Sequence, residues 1–350
     1  MQIIIKKNKL WFLVLFSIFL IISTLTIYIL PERYFNDTKI IIFDEYKEIG
    51  WIGSYPFAIM FYKITKLKYL PFFVIALIQF PIASYILYKI GVPKNFHIFN
   101  SKNLIIFVAF FLLGIYMSMP TKEFITFLLF SSIPFIFQSK ITNRKKIIFS
   151  LLLITSFSFF RAYYLLIPIF ALGMYLISFI HFKKKALATI FYGLVIAIFL
   201  SFSHGIIKGE FLSKLTRQDY AEVKAKSVNT IILSPISQDT WYGEAFGIFY
   251  GYASVNIPIG QALSHLLSPQ VLAFAIWELL IYYILIVRFS RCLKNKKENY
   301  LELWIFLILF SYFIVQGIFE PDLGTSIRHK IGFLPIIYFA IYYEHFNRKT

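Results

Sequence analysis

Apolar runs of roughly 15 to 23 residues recur along the whole 350-residue chain, and no other feature constrains its fold as much. A helix of about 20 apolar residues crosses the hydrocarbon core of a bilayer, so each run is a candidate transmembrane helix. The runs fall at 10–30, 69–90, 104–119, 123–138, 147–160, 162–181, 187–204, 270–289, 301–319 and 331–344. Hydrophobic residues make up 59% of the chain and charged residues 15%, against about 25% charged in an ordinary soluble domain. The expected fold is all-α: a polytopic transmembrane helix bundle of about ten spans, within a range of about eight to twelve. The longest polar interval, 205–268, is too short and too broken to build its own core, so 1–350 reads as a single membrane domain.

Charge placement orients the spans. With the N-terminus in the cytoplasm, one side collects 20 of the 35 basic residues, from Lys6, Lys7 and Lys9 through Lys183, Lys184 and Lys185 to Arg348 and Lys349. The same loops carry only Glu298, Glu302 and Glu344 as acids. That asymmetry is the positive-inside rule, and it puts both termini in the cytoplasm. The net charge of +18 is thus mostly a topology signal, with some attraction to anionic lipid, and no nucleic-acid partner is expected. The opening "KKNKLWFLVLFSIFLIISTLTIYIL" has too long an apolar run for a signal peptide and reads as a retained first helix. A lone cysteine, Cys292, provides neither a disulfide framework nor a thiolate metal site.

The other polar segments then face outward. They include 31–68, an outer loop holding the lysine-laced stretch "WIGSYPFAIMFYKITKLKYL", which reads as an amphipathic helix at the interface. They also include "SMPTKEF", the "FFRAYY" tip, the large outer loop 205–268 and "EPDLGTSIRHK". Each has a bland reading. Lys122 and Glu123 suit a helix N-terminus with an acid in its first turn. The run "KLTRQDYAEVKAK" reads as a solvated helix face, and Asp44 and Glu45 as loop acids. Arg161 is harder to dismiss, because it interrupts an uncharged run of 35 residues close to hydrocarbon, where an unpaired charge costs several kcal/mol. "EPDLGTSIRHK" packs Glu320, Asp322, Arg328, His329 and Lys330 before the last span. In "DTWYGEAFGIFYGYASVNIP", Trp241, Tyr242 and further aromatics alternate with small residues, which suits either sugar stacking or an interfacial belt.

The span number, the Phe/Ile/Tyr/Lys-rich composition, the late outer loop, "FEPDLGTSIRHK" and "FFRAYY" resemble the Wzy-type polymerases of O-antigen and capsule repeat units. The resemblance implies a multi-pass protein of the bacterial inner membrane. Its substrate would be a glycan on a polyprenyl pyrophosphate (undecaprenyl) carrier, polymerised on the outer face beside a flippase and a chain-length regulator. Arg161 and Arg328 would stabilise the leaving pyrophosphate, supported by Lys122 and Lys330. Glu320, Asp322 or His329 would serve the attacking hydroxyl. Tyr163, Trp241 and Tyr242 are the aromatic candidates for the sugar. The scheme calls for no cofactor and no metal. A GT-C-type glycosyltransferase using a polyprenyl-phosphate sugar is the alternative, with Asp44 and Glu45 as its acidic pair. A flippase or transporter would call for midplane charges and inverted repeats, and only Glu278 lies well inside a span.

Overall fold

The computed structural model describes residues 6–43, 49–224 and 228–346, and all their regular structure is helical apart from one isolated β-bridge. The first helices are α1 (Lys7–Ile29), α2 (Asn36–Phe43), α3 (Ser54–Ile64), α4 (Phe72–Ile90), α5 (Ser101–Tyr116), α6 (Lys122–Gln138) and α7 (Asn143–Ser156). Then come α8 (Leu166–Ile177), α9 (Lys185–Lys208), α10 (Asp219–Lys224), α11 (Trp241–Asn256), α12 (Ile259–Ser264) and α13 (Pro269–Lys294). The chain closes with α14 (Tyr300–Phe319), α15 (Leu323–Gly332), α16 (Leu334–Ile341) and α17 (Tyr343–Phe346). Among the described residues, α1, α4, α9, α13 and α14 are long and apolar enough to cross a membrane. Residues 101–116 and 162–177 form shorter apolar helices. The protein therefore has the character of a helical membrane protein.

Contacts divide the chain into two compact units, one of residues 1–162 with 328–350 and the other of 163–327. In the first, α1 packs on α4 and α5, and α6 packs on α7, α16, α3 and α4. Phe12 of α1 joins Tyr88, Phe96 and Phe110, which is how a helix with an exposed apolar surface is fixed along one stripe. The end of α15 and the start of α16 lie along α6. A Cβ at Gly332 would come 2.7 Å from Thr126, and one turn further on the Phe333 and Phe130 rings sit 3.8 Å apart. The stretch 51–70 forms the short helix α3, with Ala58, Ile59 and Tyr62 buried and Lys63 exposed.

In the second unit α14 is buried almost all round, against α8, α9, α11 and α13. An all-round apolar helix belongs at such a centre. Much of 205–268 is helical, with α11 packed on α14. One expectation changes in part: "KLTRQDYAEVKAK" exposes Asp219, Tyr220 and Glu222 as a solvated face would, but not its arginine. Its Arg217 is wholly buried in a π-helical turn, Lys214–Gln218; residues 225 and 226 of that run lie outside the described residues. The cause is Pro321, which has no N–H to close the last turn of α14. Arg217 Nη1 donates to the Gly317 carbonyl instead (3.2 Å) and Nη2 to the Gly247 carbonyl of α11 (2.7 Å). Thr216 Oγ1 donates to the Ile318 carbonyl beside it.

Candidate functional site

Near-membrane charges must be paired or solvated, and the first unit pairs them densely at the N-terminus of α6. Pro120 and Thr121 open the helix. Thr121 Oγ1 accepts the Phe124 N–H as its N-cap, and Glu123 falls in the first turn. The turn is bolted from other elements: Thr38 Oγ1 donates to the Pro120 carbonyl (2.9 Å). Buried Tyr62 bridges the Thr121 backbone, its hydroxyl donating to the carbonyl and accepting the N–H (3.0 and 2.9 Å). Gln79 Nε2 donates to the same hydroxyl. Lys122 and Glu123 are thereby fixed in place.

Around them stand residues from four other segments. Asp37 of α2 meets Arg328 of α15 (Nη2 to Oδ2, 2.8 Å) and Lys122 (3.3 Å), and its Oδ1 accepts from Tyr55 Oη (2.8 Å). The Tyr55 ring also lies under the Lys122 ammonium, 3.5 Å from its centroid. Glu123 Oε1 faces Arg161 Nη2, Arg328 Nε and His329 Nε2, each at 3.4 Å. Arg161 is delivered by the turn after α7: Phe157 packs on Phe130, Phe160 packs on Phe57, and the Arg161 N–H donates to the Phe157 carbonyl.

Three cationic side chains thus face two carboxylates, with an imidazole beside them. Burial disfavours the Asp37 carboxylate, but Arg328 and Lys122 hold its pKa well below the ordinary carboxylate range. Burial also works against Arg328, and Asp37 and Glu123 outweigh it, raising the guanidinium above its usual value. At Lys122 desolvation wins over Asp37, and the pKa falls to about 8. A cation-rich, largely dehydrated set of this kind suits a multiply charged anion such as a phosphate.

Of the residues singled out in the sequence, Lys122, Arg161, Arg328 and His329 come together here, and buried Lys330 is the next residue along α15. Five others lie in the second unit. Asp322 caps α15, its two oxygens accepting from the Thr325 N–H and hydroxyl (2.7 Å each). Glu320 is buried beside Pro321, whose carbonyl accepts from the Ile232 N–H. Tyr163 stacks on Phe319 at 4.8 Å. Trp241 and Tyr242 are exposed at the start of α11. Asp44 and Glu45 lie outside the described residues. The acids that share the cluster are instead Asp37 and Glu123. Glu123 reads in the sequence as a first-turn acid, and Asp37 carries no signal beyond being an acid after the first apolar run. No family model, curated protein or solved structure gives a significant match to this chain.

Proposed function

We propose that this protein is a glycosyltransferase-type polymerase of the bacterial inner membrane, joining undecaprenyl-pyrophosphate-linked oligosaccharide repeat units on its outer face. The observation that carries the reading is the gathering of Lys122, Arg161, Arg328 and His329 on two carboxylates, Glu123 buried and Asp37 half-buried. In the transfer, an acceptor hydroxyl oxygen bonds to the anomeric carbon and the bond from that carbon to the pyrophosphate oxygen breaks. The electron pair stays on the pyrophosphate, where the two guanidinium groups and Lys122 stabilise it. His329 takes the hydroxyl proton, and Glu123 at its Nε2 stabilises the imidazolium. About ten spans with both termini cytoplasmic would set this cluster on the outer face. A flippase and a chain-length regulator are the partners such a reaction needs.

The glycan ladder tests it in a strain lacking the native protein. Arg161→Lys should fail nearly as badly as Arg161→Ala, leaving a single repeat unit on its acceptor, because an ammonium lacks the planar two-point fork. A full ladder from Arg161→Lys at matched protein level would remove Arg161 from the reaction. One observation favours a second reading: Asp37, an acid soon after α1, belongs to the cluster, as a GT-C-type enzyme with a polyprenyl-phosphate donor would have it. That enzyme would transfer single sugars and give no ladder at all.

A further inference from the structure

The two carboxylates of the cluster are held differently. Asp37 engages both oxygens, one by a hydrogen bond from Tyr55 and the other by ion pairs with Arg328 and Lys122. Glu123 turns a single oxygen to Arg161, Arg328 and His329, all at 3.4 Å, while its Oε2 is buried with no hydrogen-bond partner among the described residues. Well-formed charge-assisted N–H···O bonds are about 2.7–2.9 Å long. Three nitrogen-bearing groups converging on one oxygen from half an ångström further out hold it only loosely. Nor can Glu123 settle deeper, because Thr38 and Tyr62 clamp the Pro120 and Thr121 backbone just before it and the Thr121 cap holds the Phe124 N–H just after it. A phosphate group carries three oxygens and more charge, and it would satisfy those donors better.

We propose that Glu123 is an internal counter-anion, which occupies the phosphate place in the empty enzyme and yields Arg161 and Arg328 to the donor's pyrophosphate. The proposal rests on the phosphate-linked donor argued above. It gives the site a selectivity that a bare cationic pocket at a membrane surface would lack. A singly charged phosphodiester of bulk lipid competes poorly against a fixed carboxylate, whereas a pyrophosphate competes well. It also couples binding to chemistry. Once its arginines are taken, Glu123 is left facing the His329 Nε2, and a carboxylate beside an imidazole favours its protonated form.

The test is equilibrium binding of inorganic pyrophosphate to the purified full-length protein in nanodiscs of zwitterionic lipid. Glu123→Gln removes the competing charge without changing size, and should bind roughly tenfold tighter than wild type or better. Glu123→Asp keeps the charge but withdraws it, and should bind tighter by a smaller factor. Affinity in Glu123→Gln equal to or weaker than wild type overturns the proposal. If Glu123→Gln does not fold, unchanged affinity in Glu123→Asp overturns it just as well. Wild-type binding that Arg161→Ala abolishes, with no gain at position 123, overturns the displacement alone. Absence of binding by every form overturns the phosphate-linked donor with it.

Discussion

Of the three cations on Asp37 and Glu123, Lys122 alone holds its charge conditionally. Its ammonium is pushed down to about 8 from 10.5, with Asp37, Glu123, Arg328, Arg161 and Tyr55 facing it. Below pH 8 the lysine is charged both folded and unfolded. Between about pH 8 and 10.5 the unfolded chain still binds the proton and the folded one has lost it, so the contribution of Lys122 to stability rises with pH there. Activity should move the other way. If the ammonium holds the donor's phosphate, kcat/KM in membranes should fall as pH rises through about 8. Lys122→Arg, charged at all those pH values, should shift that limb upward even at reduced activity. An alkaline limb identical in the variant would assign it to another group. Part of this cluster was visible beforehand: Arg161 stands out because a charge near hydrocarbon is costly, and Arg328 and His329 because "EPDLGTSIRHK" is dense in charge, whereas Lys122 reads as an ordinary helix start. The acids were not. Asp37 lies in "YFNDTKI", which has no periodicity or spacing to mark it, and its pairing with Lys122 and Arg328 exists only in the tertiary fold.

Between elements, the close approach of α11 and α14 in the second unit depends on glycine. A Cβ at Gly317 would come 2.6 Å from the Tyr252 Cα, a backbone atom that moves only with its helix. Gly317→Ala should therefore cost about 1–3 kcal/mol, read as lower protein yield and a lower melting temperature in detergent. Gly260→Ala in α12, where nothing lies within 4 Å, should be close to neutral in the same assay. Equal losses at both positions would mean that helix α11 does not need the approach. The helices themselves were legible in uneven measure. The ends of α4 and α14 fall within three residues of the apolar runs that predict them. Around Arg161 the expected span 147–160 shifts four residues back to α7 and 162–181 shortens to α8, with 3₁₀ turns at Phe157–Phe159 and Ala162–Leu165 between. Those turns place Phe157 and Phe160 on their partners, a demand of packing that hydropathy does not encode. Likewise α11 mixes aromatics with Gly243, Gly247 and Gly251. That composition scores as loop, and becomes a helix face only when Arg217 and α14 are there to meet it.

Across the whole chain, the reading depends on which side of the membrane each polar tip faces, and this follows from charge more than from helix count. Among the described residues five helices meet the length and hydropathy of a span, whereas α6, α7, α8 and α16 run to only 17, 14, 12 and 8 residues. Short helices at the tips are what a site there entails, since residues spent on turns and caps are lost to the apolar run. A count by length is therefore sensitive to polar groups that crowd a helix end. The basic loops do not suffer from this. A hairpin with Lys183, Lys184 and Lys185 at its turn resists translocation whether its helices number 12 or 24 residues. Reporter fusions after Ala186 and after Lys297 should accordingly report the cytoplasm, and a fusion at Gly324 the outside. The Gly324 fusion decides most, because Arg328 and His329 follow within five residues on the same helix. Lipid-linked repeat units are presented to a polymerase on the outer face. A cytoplasmic signal at Gly324, with the other two fusions as expected, would put the cation cluster on the wrong side for them and end the polymerase reading.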